Sequence, residues 1–128
     1  MDIPSDLLFT EEHEWARINV GEATVGITDY AQHSLGDITF VDLPKVGKKV
    51  KKGEQLATVE SVKAASDVYA PVSGEVVKVN GQLIDIPELI NKVPYNDGWF
   101  VVIKISEESE KSGLMSGDQY KEYVEGLH

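Results

Sequence analysis

The residue whose setting points to chemistry is Lys63, in the stretch ATVESVKAASDVYAPVSG that runs from Ala57 to Gly74. It is the only cation between Lys52 and Lys78, and its neighbours Val62, Ala64 and Ala65 are small or apolar. Taken alone, a lysine at a turn is ordinarily one more solvated surface charge. Set off in this way it also suits acylation, because an amide at its amine removes the charge and leaves a long swinging tether. Glu60 and Asp67 flank it, within reach of a modifying enzyme or of a guest on such a tether. Ser61 and Ser66 have no base nearby and are not read as nucleophiles.

The elements around Lys63 determine where it points. Leu56, Ala57, Thr58, Val59 and Val62 are small, β-branched or apolar and predict a largely buried strand; Asp67 to Ala70 predicts a second, closed by Pro71 and by Ser73-Gly74. Lys63 then stands at the apex of a hairpin, directed away from both strands. Residues 1–10 read as an extended arm, with Pro4 resisting regular structure. Glu14 to Val20 and Ala23 to Ile27 predict an opening hairpin that turns at Gly21-Glu22. Thr28 caps a short helix, Asp29 to Leu35, and Gly36 stops it. The strand Ile38 to Leu43 carries apolar residues on both faces and is expected to be covered on both sides. Gly47 and Gly53 mark bends, Gly74 to Val79 alternates as a strand, and Asn80-Gly81 is a turn. Pro87 opens a helix to Asn91, and Trp99 to Ile105 is a strongly apolar strand. In the tail, Ser106 to Lys111 begins a helix, and Ser116 with Gln119 forms a capping box for a last helix from Gly117 to about Val124. The elements add up to a small β-sandwich or flattened barrel edged by short helices.

Composition narrows the class. A chain of 128 residues fits one domain with one real core. The expected organisation is a single domain over 1–128, with an N-terminal arm (1–12) and a C-terminal helical tail from about 106. Acidic residues number 22 against 12 basic ones, a net charge of −10, which argues against nucleic acid and anionic membranes as partners. Lys45, Lys48, Lys49, Lys51 and Lys52 crowd into one run, read as a solvated loop and strand edge, with a docking patch for an acidic partner as the sharper alternative. The absence of cysteine removes disulfides, thiolate metal sites and a protein-borne dithiol, so any redox sulfur must belong to a cofactor. His13, His33 and His128 are too scattered for a metal site. There is no apolar run of membrane-spanning length, and the acidic start MDIPSDLLFTEEHEW reads as neither a secretory nor a transit peptide. That favours the cytoplasm, or the mitochondrial matrix if a presequence has been removed. Trp15 and Trp99 are read as packing residues.

VESVKAASDVYAPVSGEV resembles the lipoyl-attachment region of the glycine cleavage system H-protein family, and Lys63 falls where that family carries lipoate. The resemblance extends over nearly the whole chain through HEWAR (13–17), VGITDYAQ (25–32), LGDITFVDLP (35–44), PELIN (87–91) and PYNDGWF (94–100). Biotin-carrying domains place methionine on both sides of their lysine; Val62 and Ala64 disfavour that reading. The resemblance implies a mainly β barrel-sandwich hybrid with Lys63 on an exposed hairpin, and a carrier, not an enzyme. It further implies that lipoate on Lys63 takes an aminomethyl group from a pyridoxal-phosphate-dependent glycine decarboxylase and passes it to a tetrahydrofolate-dependent aminomethyltransferase. Dihydrolipoamide dehydrogenase would reoxidise the dithiol, and a lipoate ligase or a lipoyl/octanoyl transferase would attach it. Glu14 and Asp67, with His13 and Glu12 adjacent, fall where that family has residues of the cleft holding the loaded arm. The alternatives within carriers are an H-like lipoyl relay and a lipoate-binding carrier of sulfur oxidation.

Overall fold

A computed structural model of the chain describes residues 2–127. Among the described residues nine strands form two sheets: β1 (Leu8–Phe9), β2 (Glu14–Asn19), β3 (Glu22–Ile27), β9 (Val101–Ile105), β8 (Gly74–Val79) and β5 (Lys49–Val50) lie side by side in that order, and β4 (Ile38–Asp42), β6 (Gln55–Ser61) and β7 (Ala65–Tyr69) form the second. Every pairing is antiparallel. The inward side chains of both sheets close one core, in which Val25, Val76 and Ile103 of the large sheet join Val41, Val59 and Val68 of the small one. This is the mainly β, two-sheet sandwich that the alternating strands predict. No helix among the described residues is long and apolar enough to cross a membrane.

A second cluster, Leu7, Phe9, Trp15, Tyr95, Tyr120 and Val124, seats the last helix, α4 (Gly117–Glu125), against β1 and β2. The N-terminal arm is therefore less free than its sequence suggests. Phe9 pairs with Trp15 across β2 and bridges Met115, exchanging two backbone hydrogen bonds of 2.8 Å with it. Trp15 also fixes how closely β2 and β3 approach. Its ring lies 2.7 Å from where a β-carbon on the opposite residue, Gly26, would stand, and its Nε1 donates to Pro94 O at 2.9 Å. Gly26→Ala must displace this ring or spread the strands, so it is expected to destabilise the protein by about 2–3 kcal/mol. Urea denaturation checks this, and an unchanged midpoint would mean that the pair opens without cost.

The capping signals have their expected partners. Thr28 Oγ1 accepts from Ala31 N at the start of α1 (Asp29–Leu35), and Ser116 and Gln119 form both halves of a capping box on α4. Gly47 and Gly53 have φ of +98° and +88°. Four expectations need correction. The first hairpin turns at Val20-Gly21, with φ of +40° and +75°, while Glu22 already pairs with Asn19 in β3. That two-residue loop forces a β-branched side chain into the left-handed region and leaves it 95 % exposed. β4 is not covered on both sides, because a register shift between Ile38 and Phe40 sends Ile38 and Val41 inward and leaves Phe40 52 % exposed. The segment after β8 holds two short helices, α2 (Gln82–Asp85) and α3 (Leu89–Lys92), where one was expected, and a 3-10 turn (Glu108–Gly113) replaces the helix read from Ser106. Asn80-Gly81 turns the chain into α2, with Asn80 buried and its Nδ2 donating to Asp97 O and Trp99 O.

The lysine run lies at the edge of the large sheet. Lys49 on β5 pairs with Glu75, Glu75 with Lys104 and Lys104 with Glu22, a row of alternating charge across four strands. Opposite charges facing across strands stabilise the pairing modestly and keep an exposed edge soluble.

Candidate functional site

Lys63 stands in the connection between β6 and β7, exposed to solvent and, among the described residues, in no ion pair. Ser61 makes the connection rigid. Its Oγ accepts from Lys63 N and Ala64 N at 3.2 Å each and donates to Ala64 O, also at 3.2 Å, while Ser61 N donates to the same oxygen at 2.8 Å. A serine hydroxyl bonding backbone two and three residues ahead is a local turn device, so SVKA carried a legible signal for this role. Val62 N adds a 3.0 Å bond to Asp37 O, which ties the apex to the turn between α1 and β4. The backbone at the apex is therefore fixed on several sides, and reach comes from the lysine side chain.

That side chain leans over the end of α1. Lys63 Cε and Cδ lie 3.4 and 3.7 Å from where a β-carbon on Gly36 would be. Gly36 has φ of +79°, and without a side chain it leaves the lysine stem room against the helix end. Asn91 holds this corner in place: its Oδ1 accepts from Ile38 N, and its Nδ2 donates to Gln32 Oε1 and to Gly36 O, all at 2.9 Å.

Along the same helix runs a groove of about 370 Å³, walled by Tyr30, Ala31, Ser34 and Leu35 on one side and by Ser66, Asp67 and Tyr69 of β7 on the other, with Glu12 and His13 at its end. Three of the four residues singled out for a cleft, Asp67, His13 and Glu12, thus meet in one groove. Asp67 is exposed, and its Oδ1 accepts from Gln55 Nε2 at 3.0 Å. Glu14, the fourth, is 2 % exposed and does not line the groove. It sits beneath it, accepting from Thr10 Oγ1 at 2.6 Å and from Tyr69 N at 3.2 Å. Burial pushes its carboxyl up from 4.5 to about 7, against the pull of those two hydrogen bonds, and the nearby Glu12 charge adds to the rise. His13 has a left-handed backbone, φ +70°, and its ring faces that of Tyr30 at 4.5 Å between centroids. Burial holds its imidazole below the ordinary value, opposed by Glu12. His33 is exposed on the far turn of α1, and His128 lies outside the described residues.

The arrangement has the parts of an anchor and a sheltered berth. A solvent-presented amine stands on a braced turn, next to a groove with an apolar wall and carboxylates at its rim. Tyr30, Ser34, Tyr69 and Ser61 were not singled out by sequence. Only Ser61 had a local signal, since the others become neighbours where α1 and β7 face each other across the groove.

A family model described as "Glycine cleavage H-protein" matches residues 7–126. Over 119 residues the chain is 56 % identical to a probable glycine cleavage system H protein of Aeropyrum pernix, covering 93 % of this chain and 83 % of that one. Over 124 residues it is 48 % identical to the glycine cleavage system H protein of Alcanivorax borkumensis, covering 97 % of each. Among solved structures, a glycine cleavage system H protein from Mycobacterium marinum superposes with a TM-score of 0.85 at 37 % identity, covering 98 % of both chains.

Proposed function

The chain belongs to the glycine cleavage H-protein family, and from that premise we propose that Lys63 bears the lipoate and that the groove along α1 shelters the loaded arm. The protein is a lipoyl carrier of the glycine cleavage system and not an enzyme in its own right. The observation that carries the assignment of Lys63 is its presentation, exposed at an apex that Ser61 and Asp37 brace from two sides. An amine held this way can be acylated without disturbing a core contact, and the amide retains the full reach of the side chain.

Lipoate, when bound, supplies a dithiol that can take up and release a one-carbon amine. The chain's own residues supply the rest. Gly36 leaves room for the stem of Lys63 to lie against α1 and start along the groove. Tyr30, Ala31 and Leu35 form a wall that excludes water from a hydrolysable guest. The carboxylates of Glu12 and Asp67 suit an amine that is a cation near neutral pH, through charge-assisted hydrogen bonds. The partners that follow from this reading are the pyridoxal-phosphate-dependent glycine decarboxylase, the tetrahydrofolate-dependent aminomethyltransferase and dihydrolipoamide dehydrogenase. A lipoate ligase or a lipoyl/octanoyl transferase would modify Lys63.

Intact mass of the protein from cells competent in lipoylation, with peptide mapping over residues 53–78, tests the assignment. The expected result is a gain of one lipoyl group, mapped to Lys63. An unmodified Lys63 in such cells, or the group on another lysine, would overturn it.

A further inference from the structure

The last helix, α4, contributes nothing to the lining of the groove, yet its Tyr120 reaches the groove wall from behind. The Tyr120 hydroxyl lies 2.8 Å from His13 Nδ1 and 2.7 Å from Thr28 Oγ1, contacts that join residues 107 and 92 positions apart. The Tyr120 ring stacks on Phe9 at 4.6 Å, 8° from parallel, so the phenol cannot turn to other partners without breaking that packing. Thr28 and Tyr120 are completely buried.

The direction of the hydrogens follows from counting donors and acceptors. Thr28 Oγ1 accepts from Ala31 N at 3.2 Å in capping α1, and its own hydrogen still needs an acceptor. Among the described residues the Tyr120 oxygen is the one within reach. A buried hydroxyl left without an acceptor is costly, so Thr28 donates to Tyr120. The phenol hydrogen is then directed at His13 Nδ1, which must accept, and the ring's own proton is on Nε2. Running the relay backwards would strand the Thr28 hydrogen in a dry site.

We propose that Tyr120 is a positioning residue that fixes His13 as the neutral tautomer protonated on Nε2, so that the groove presents a neutral hydrogen-bond donor matched to a sulfur or amide-carbonyl acceptor of the arm. The donor's partner rests on the carrier reading above; the tautomer does not. Groups that could oppose it surround the ring: Glu11, Glu12 and Glu14 on its own segment, Tyr30 from α1, Asp67 and Tyr69 from β7, and Tyr123 beside Tyr120 on α4. The Glu12 carboxylate favours an imidazolium, whereas burial and the relay favour the neutral ring. Burial also pushes the Tyr120 phenol up to about 12, which keeps it a donor throughout the neutral range.

The test is a long-range ¹H–¹⁵N correlation spectrum of the histidines in unmodified full-length protein, followed from pH 5 to 8. His13 is expected to show a protonated Nε2 and an unprotonated Nδ1, with a midpoint below that of free imidazole. Thr28→Ser, which keeps the hydroxyl, should preserve both features. Tyr120→Phe should mix the tautomers and raise the midpoint towards about 6.5. A wild-type ring protonated mainly on Nδ1 overturns the proposal, and that spectrum decides even if Tyr120→Phe does not fold. A folded Tyr120→Phe with the same tautomer and midpoint also overturns it. In lipoylated protein the Nε2–H resonance should shift from its position in unmodified protein, and an identical resonance would remove the arm as its acceptor. Because the tautomer is measured without lipoate, its failure is separate from a failure of the Lys63 assignment.

Discussion

Lys63→Arg is expected to reduce glycine-dependent turnover in a reconstituted glycine cleavage system to the level seen with no carrier added, while the protein stays folded. Arginine keeps the charge and nearly the length of the side chain, and the apex bonds made by Ser61 involve only backbone groups of residues 63 and 64. Stability should therefore change by no more than about 0.5 kcal/mol, as for other exposed substitutions away from special geometry. What is lost is the chemistry, because a guanidinium remains protonated and is no acyl acceptor near neutral pH. Intact mass should show no lipoyl group, and a melting curve should overlay the parent. Other lysines do not rescue the variant in this reading. Lys45, Lys48, Lys49, Lys51 and Lys52 are exposed too, but they lie in the loops and edge strand before the hairpin and not on its braced apex. Measurable turnover by Lys63→Arg, or lipoate found on one of those lysines, would sink the idea that the apex defines the acceptor.

What could be read from the sequence was local. Thr28 as a helix cap, the Ser116–Gln119 box and the bends at Gly47 and Gly53 depend on residues within four positions of one another, and each is present. The exposed apex at Lys63 was legible for the same reason, since two apolar strands separated by a polar interruption leave little choice. The groove is different in kind. His13, Tyr30 and Asp67 carry no mutual spacing signal; they come from the residue before β2, from α1 and from β7 of the other sheet, and meet only at the groove. Tyr120 was legible as part of an apolar helix face, but its bond to His13 needs the whole fold to close. Phe40 misled because alternation assumes an unbroken register, and one irregular step in β4 reverses the phase. The depth of Glu14 was not legible either. A glutamate in a run of acids, EEHE, carries no local signal of burial, yet as the first residue of β2 it lies against β7, where Thr10 and the Tyr69 amide satisfy its oxygens.

That buried carboxyl gives the second large effect. With its pKa raised from 4.5 to about 7, the folded protein favours protonated Glu14 more than the unfolded chain does. The stabilisation is complete below about 4.5 and is lost as pH rises through 7. At 1.36 kcal/mol per pKa unit, the loss by pH 8 amounts to about 3 kcal/mol. Glu14→Gln keeps the shape and the acceptor for Tyr69 N without the charge, so it should match the parent near pH 4.5 and exceed it by about 3 kcal/mol at pH 8. Urea unfolding at the two pH values measures this, and the difference between variant and parent cancels the contribution of His13, whose lowered pKa acts in the opposite direction. Parallel curves would show that the carboxyl titrates normally. A carboxylate that is unfavourable in the folded protein has a use if a cation enters the groove above it. The guest's charge would favour ionised Glu14, pull its pKa down, and convert a cost of the empty carrier into attraction for the loaded one. Glu14→Gln should then lose its aminomethyl group faster than the parent above pH 7 and at the parent's rate near pH 5, with lipoylation unaffected in both. Equal loss rates at both pH values would leave Glu14 as a strained structural acid with no part in holding the guest.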